Sequence, residues 1–223
     1  MVNACKTKPI DLNSLFLKKF EEDEPELYSK IIGFKELFCL DEITDGRYSI
    51  SFLMDIFSAF ENGGINIGAV MHELKHLEGK TPESKTKAPT EFKRTPLKGL
   101  WHKHYYDTSI PGLVHNIKNA LNNYSIPYFE EKILEAKESG EERFMSAEDI
   151  SLIVNDVVTG NLQRRSEDNK ITGEWFIYAI QDNVKYYLCL AKHDDGDDSI
   201  RKKIDSSCIY EFPFLKDILP SVS

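Results

Sequence analysis

Apolar residues recur at helical spacing through the first half of the chain. Leu12, Leu15, Phe16 and Phe20 occupy positions i, i+3, i+4 and i+8, which predicts a helix over residues 11–32. Further helices are predicted near 34–40 and over 52–62, 67–77, 111–123 and 127–138. Residues 80–98 are rich in Lys, Thr and Pro and interrupt this pattern, so they predict a long loop.

Several helix boundaries are marked by residues that favour helix ends. Gly79 and Gly140 follow predicted helices, and glycine readily adopts the left-handed conformation that ends a helix. Side chains that accept a hydrogen bond from a free backbone N–H favour helix starts. The predicted N-caps are Ser49 or Ser51, Ser146 with Asp149 in a capping box, and Asp197 or Asp198.

The last third of the chain changes to a strand pattern. The segments 173–180 (GEWFIYAI) and 184–191 (VKYYLCLA) are β-branched, aromatic and apolar on both faces, and Asp182-Asn183 lies between them. This predicts a β-hairpin whose strands are covered on each side. The expected fold class is therefore α+β, with a helical part over 1–145 followed by a small, mostly antiparallel sheet with flanking helices over 146–223. The two parts form separate domains or one continuous domain.

Cysteine usage and hydropathy bear on the cellular compartment. The four cysteines at 5, 39, 189 and 208 contain no C-x-x-C pair, which favours reduced thiols in a cytoplasmic protein. The start of the chain, MVNACKTKPIDL, lacks the apolar stretch of a signal peptide. No window approaches the ~20 apolar residues of a membrane span, so no membrane partner is expected.

The charge is unevenly distributed. The chain carries a net charge of −9, which disfavours general affinity for nucleic acid, although a nucleic-acid partner stays open. Residues 75–104 carry eight Lys or Arg against three Glu, a local net charge of +5. We expect an anionic ligand or substrate at the basic loop 80–98, bound by Lys93, Arg94 and Lys103. The alternative is a solvated surface loop.

The segment HELKH places His72 and His76 four residues apart on a predicted helix, with Glu73 between them. Residues i and i+4 share a helix face, so both imidazoles can bind one zinc ion. The motif resembles that of the zincin metallopeptidases over about ten residues. The resemblance implies His72 and His76 as zinc ligands and Glu73 as the general base on the metal-bound water. Lys75 departs from the uncharged residue usual in the motif.

The third zinc ligand has to come from outside the motif. Pro82 occupies the position of a third metzincin histidine, so His102, His104 or a Glu of the helix over 130–138 is expected instead. We predict a composite site in which Trp101 is buried on the apolar face under residues 67–71 (IGAVM) and brings the segment LWHKHYY beside His76. The function expected of such a site is a metal-dependent hydrolase. In it, His102 is expected to complete the metal site, and Glu73, His104 and Lys98 are the expected catalytic residues.

Two other functions remain open. A metal-independent ribonuclease needs histidines as acid and base and Lys or Arg to stabilise the phosphate, and residues 72–104 supply both. The order of helix, aromatic hairpin and helix in the C-terminal part resembles the small barnase/EndoU/colicin/RelE-like toxin RNases, and implies Thr172, Glu174, Tyr178 and Arg201 as candidates. A non-catalytic interaction or immunity-type protein would fit the acidic surface, and would leave the histidines as ordinary surface residues.

Overall fold

The computed structural model describes residues 12–84, 86–106, 110–140, 144–168, 170, 173–192 and 195–221. These form two compact units. Unit 1 comprises residues 1–82, 88–105 and 174–223, and unit 2 comprises residues 83–87 and 106–173. This division does not follow a boundary at residue 145, because strand pairing joins residues 101–104 to residues 175–178 within unit 1.

The elements follow one another along the chain as helices, then two short strands, then helices, a hairpin and three more helices. In chain order they are α1 (Leu12–Asp23), α2 (Pro25–Leu37), α3 (Leu40–Thr44), α4 (Ile50–Glu61), α5 (Ile67–Leu77), β1 (Thr90–Glu91), β2 (Trp101–His104), α6 (Ile110–Tyr124), α7 (Pro127–Ser139), α8 (Ala147–Asn155), a π-helical turn (Asp156–Gly160), α9 (Asn161–Glu167), β3 (Trp175–Gln181), β4 (Val184–Ala191), α10 (Asp197–Ser206), α11 (Cys208–Glu211) and α12 (Leu215–Ile218). The predicted α+β class is confirmed.

The prediction of one helix over 11–32 was wrong in its extent. The chain forms two helices that meet at Glu24, because Pro25 takes the first position of α2, where its missing N–H is tolerated. Residue 11 lies outside the described residues. The second helix continues through the run predicted near 34–40 as far as Leu37.

Most of the predicted helix ends are confirmed. Ser49 caps α4 by accepting a hydrogen bond from the Phe52 N–H at 3.0 Å. Ser146 and Asp149 form the capping box of α8, and Gly140 ends α7 with a φ of 66°. The predicted Asp caps of α10 were wrong. Gly196 occupies that position, and both aspartates lie in the first turn, where their charge suits the helix dipole.

Unit 1 is built on a four-stranded antiparallel sheet of order β1-β2-β3-β4. The predicted β3–β4 hairpin is confirmed, and its turn residues Asp182 and Asn183 have φ of 51° and 63°, as a tight hairpin turn requires. The two other strands lie in segments for which the sequence predicted no strand. Strand β4 is an edge strand of the sheet, but backbone hydrogen bonds of Tyr187 with Arg47 and Ser49 cover part of it.

Each face of the sheet supports its own core. The first core contains Phe176, Tyr178 and Tyr187 of the sheet together with side chains of α2–α5. The second contains Ile177, Ala179 and Leu188 together with side chains of α10–α12. Because neighbouring residues of a strand point to opposite faces, each residue of β2 belongs to one side or the other.

Unit 2 is helical and has a small core. Helices α6 and α9 pack together around Asn116, Asn161 and Arg165, which are buried. In the described part of this unit, Ala120 is the only buried apolar side chain. The Asp156 carboxylate accepts a hydrogen bond from the Tyr128 N–H at 3.1 Å and so caps the first turn of α7 from the π-helical turn.

The longest helix in the described residues, α6, has 15 residues. At 1.5 Å per residue it extends over about 22 Å, which is shorter than the ~30 Å hydrocarbon layer of a membrane. Among the described residues, no helix is long and apolar enough to cross a membrane.

Candidate functional site

The HELKH motif lies on α5, as the sequence predicts. The helix begins after Asn66, whose side chain accepts a hydrogen bond from the Ala69 N–H at 3.1 Å. His72 is exposed, and His76 is half-buried with its Nδ1 3.3 Å from the carbonyl oxygen of Thr81. The buried face of α5 is formed by Val70, Met71, Glu73, Leu74 and Leu77.

Glu73 is the charged member of that buried face, and its partner is Lys103 of β2. The Lys103 Nζ lies 3.0 Å from the Glu73 Oε2, and the two side chains expose 0% and 4% of their surface. Burial lowers the pKa of Lys103, and the negative charge of Glu73 opposes that shift. A buried carboxylate this close to a buried ammonium is held as an ion pair rather than presented to a bound water. The structure therefore assigns Glu73 a different contact from the one that the zincin resemblance implies.

Lys103 was expected to bind an anionic ligand, and the structure corrects that expectation. Its side chain is fully buried against α5, so its charge is used inside the protein. Strand pairing explains the direction of the side chain. Lys103 lies opposite Phe176, a residue of the first core, and residues directly opposite on paired strands share a face.

His102 and His104 project from the other face of β2. They lie opposite Ile177 and Trp175, which belong to or pack against the second core. Their ring centroids are 5.6 Å apart, and His104 exposes 5% of its surface while His102 is half-buried. The strand thus presents two imidazoles side by side, on the sheet face opposite to Glu73 and α5.

The two imidazoles are surrounded by aromatic rings. The His102 ring lies between Phe92 and Trp175, with centroid distances of 4.7 Å and 4.8 Å. His104 meets Trp175 at 5.9 Å with the ring planes nearly perpendicular. Phe92 and Trp175 were not among the residues expected to form a site. Their signal in the sequence is weak, because aromatic residues in strands are usually core residues.

The predicted composite site is not formed. Trp101 is half-buried and packs against the first core, which includes Val70 and Met71. However, its burial on that side turns the next residue, His102, to the opposite side of the sheet, and His104 follows two residues later. The structure places His102 beside His104, on the face of the sheet opposite to the one on which α5 packs.

Three cations of the basic segment lie in the β1–β2 loop. Lys93, Arg94 and Lys98 are all exposed, and the Lys93 Nζ lies 2.8 Å from the Glu91 Oε2. This loop leads directly into β2 and His102. The basic residues are therefore available to solvent on the hairpin that carries the histidine pair.

The residues implied by the RNase resemblance have structural contacts. Tyr178 is buried in the first core, and burial raises the pKa of its hydroxyl. Arg201 donates to the carbonyl oxygens of Pro96 and Pro220 at 2.9 and 3.0 Å and pairs with Asp205. Glu174 is half-buried, and its backbone carbonyl accepts a hydrogen bond from the Tyr105 N–H. Thr172 lies outside the described residues.

The described residues contain no group of three or more His, Cys, Asp or Glu side chains arranged to hold a metal ion. Comparison of the chain with family models, curated proteins and solved structures finds no match. The side-chain contacts of α5 and β2 in unit 1 are therefore the features from which a function can be proposed.

Proposed function

We propose that the protein is a metal-independent endoribonuclease in which His102 and His104 form the acid–base pair. The observation that supports this proposal is the pair of imidazoles on one face of β2, with ring centroids 5.6 Å apart. Histidine is the side chain most often used for both proton removal and proton donation near neutral pH. Two such rings side by side can act on the attacking oxygen and on the leaving oxygen of the same reaction.

The reaction would be an internal transfer at phosphorus. One imidazole removes the proton from a ribose 2′-hydroxyl, and the 2′-oxygen forms a bond to phosphorus. The bond from phosphorus to the 5′-oxygen breaks, and the other, protonated imidazole donates its proton to that oxygen. The products are a 2′,3′-cyclic phosphate and a free 5′-hydroxyl, with no net proton change in the enzyme pair.

The surroundings of the pair suit a single-stranded RNA. Aromatic rings provide stacking surface for unpaired bases, and Phe92 and Trp175 flank His102. Arg94 and Lys98 are exposed on the adjoining loop and supply positive charge for phosphates. The RNA would approach the pair from the side of His102, which is the more exposed of the two imidazoles.

A zinc-dependent hydrolase built on His72, Glu73 and His76 has less geometric support. Its general base would have to leave the buried ion pair with Lys103 before it could activate a water. A requirement for zinc is therefore the competing outcome of the test.

The test uses a fluorescein-labelled single-stranded RNA oligonucleotide, with and without EDTA, and mass analysis of the products. We expect cleavage in EDTA and 2′,3′-cyclic phosphate ends. His102→Gln and His104→Gln should each reduce the rate by about 10²–10⁴-fold, since each removes one proton-transfer group. The double variant should be little worse than either single one, because the two groups act as a unit.

The controls separate chemistry from folding. Glutamine keeps much of the ring's size and polarity, and thermal unfolding of each variant checks that the sheet is intact. His72→Gln, at the exposed position on α5, should leave the rate unchanged, and a DNA oligonucleotide lacking the 2′-hydroxyl should not be cut. Cleavage that requires added zinc, or that persists in the folded His102/His104 double variant, would refute the proposal.

A further inference from the structure

Unit 2 exposes an apolar groove beside α7 and α8. Its apolar lining consists of Phe129, Ile133, Ala136, Phe144 and Met145, with Lys132 and Asp149 at its border. Phe129, Ile133 and Ala136 are spaced i, i+4 and i+7 along α7, so they share one side of that helix. Below, this surface is called the α7–α8 groove.

The groove is open to solvent. Phe144 exposes 95% of its surface and Met145 46%. Neither α7 nor α8 contributes a buried residue. Large exposed apolar surfaces with polar borders mark interaction sites in soluble proteins. Since unit 2 buries so little apolar surface of its own, a partner in this groove would also stabilise it.

The charge around the groove restricts the partner. The described residues 127–140 and 144–156 carry seven carboxylates and two lysines, a net charge of −5. Glu130, Glu131 and Glu138 of α7 and Glu148 of α8 are exposed. A cationic partner gains from this field, because exposed charges act over a Debye length of about 8–10 Å.

The same charge disfavours the other occupants. RNA and anionic lipid would be repelled by a carboxylate border. A second copy of the chain would place the same acidic face against itself in a two-fold symmetric dimer. A positively charged apolar segment meets both requirements of the groove at once.

Length sets the size of that segment. Helix α7 has 13 residues and extends over about 20 Å, which matches a partner helix of three to four turns. We infer that the α7–α8 groove binds a cationic amphipathic helix of a protein partner. The apolar side of that helix packs on Ile133 and Phe144, and its Lys or Arg residues lie beside the glutamates. This inference is independent of the proposed ribonuclease activity.

The experiment measures binding of the full-length protein to a fluorescein-labelled peptide of about 14 residues. The peptide is built from Leu and Lys in an amphipathic helical pattern. A scrambled peptide of the same composition tests whether the apolar stripe matters, and a Leu/Glu peptide tests the charge. We expect anisotropy to show saturable binding of the first peptide alone. Its affinity should fall severalfold between low and high salt.

Variants identify the groove. Ile133→Ser with Phe144→Ser should weaken binding at least tenfold, and both positions are exposed, so the fold should survive. Leu15→Ser on α1 is the matched control. Leu15 is also a large apolar residue that exposes 53% of its surface, but it lies in unit 1. Hydrogen exchange should show α7 and α8 becoming protected when the peptide binds.

Four outcomes would overturn the inference. The first two are a scrambled peptide that binds as tightly as the amphipathic one, and an Ile133/Phe144 variant that binds the amphipathic peptide as tightly as the wild type does. Binding of the chain to anionic vesicles through these residues would identify a membrane instead. A dimer, detected by light scattering and dissociated by the same substitutions, would identify a second copy as the occupant.

Discussion

The buried ion pair between Glu73 and Lys103 provides a quantitative test of the fold of unit 1. It joins α5 to β2, and its two side chains expose 4% and 0% of their surface at an N–O distance of 3.0 Å. Lys103→Met removes the cation that balances the buried carboxylate while it keeps much of the side chain's length. Glu73→Leu makes the reciprocal change.

The expected magnitudes follow from the burial of both charges. Removing one member of a buried ion pair costs about 3–5 kcal/mol of unfolding free energy, because the other charge stays in an apolar environment. Replacing both by apolar residues of similar volume is often neutral or stabilising. Glu73→Leu with Lys103→Met should therefore lie much closer to the wild type than either single variant. Since small domains are stable by about 5–15 kcal/mol, each single loss should be large enough to measure.

Urea unfolding, followed by tryptophan fluorescence, measures all four members of this double-mutant cycle. Lys19→Met provides the control, because the Lys19–Asp23 pair is exposed and its N–O distance is 3.9 Å. An exposed pair of this kind contributes about 0–1 kcal/mol. If Lys103→Met lowers the unfolding free energy no more than Lys19→Met does, or if the two single losses simply add in the double variant, Glu73 and Lys103 are not energetically coupled as a buried pair should be.

Three further predictions concern other parts of the chain. Gly99→Ala should destabilise unit 1 by more than about 1 kcal/mol, because Gly99 has a φ of 92° and a Cβ there would lie 2.9 Å from the Ile218 Cγ2. Gly33→Ala, in an open helical position of α2, should instead stabilise by about 0.5–1 kcal/mol in the same urea assay. Burial, followed by the hydrogen bond to Glu78, raises the pKa of Tyr187. The neutral Tyr187 hydroxyl therefore contributes its full stabilisation below about pH 10, the pKa of tyrosine in the unfolded chain, and this stabilisation is lost as the pH rises further. Above pH 10 the unfolding free energy of the wild type should fall about 1.4 kcal/mol per pH unit more steeply than that of Tyr187→Phe. Ser146→Ala should remove the capping box of α8 and cost about 1 kcal/mol, seen as faster hydrogen exchange in the first turn of that helix.

Local signals in the sequence determined the helices and the hairpin. Ser49, Ser146 and Gly140 act on backbone groups within three or four residues of themselves, so their effect can be predicted without knowing the fold. The same holds for the Asp182-Asn183 turn, which depends only on its own backbone conformation. The proline at 25 was an equally local signal, and it should have divided the first predicted helix.

One feature of the candidate site was also present in the sequence. Val70, Glu73, Leu74 and Leu77 follow the i, i+3, i+4, i+7 spacing of a buried helix face. The spacing therefore placed Glu73 among core residues. The identity of the charge that balances it could not be predicted, because Lys103 lies 30 positions further along the chain and reaches Glu73 only through the sheet.

Only the tertiary structure decided which residues share a face of the sheet. Strand β1 has two residues and β2 has four, too few for a pattern of their own. Strand β2 forms because β3, far along the chain, provides its hydrogen-bond partners, and β1 in turn pairs with β2. That pairing fixes the register of β2. Since a shift of one residue would exchange the two faces, the register alone sends Lys103 to Glu73 and places His102 and His104 together on the opposite side.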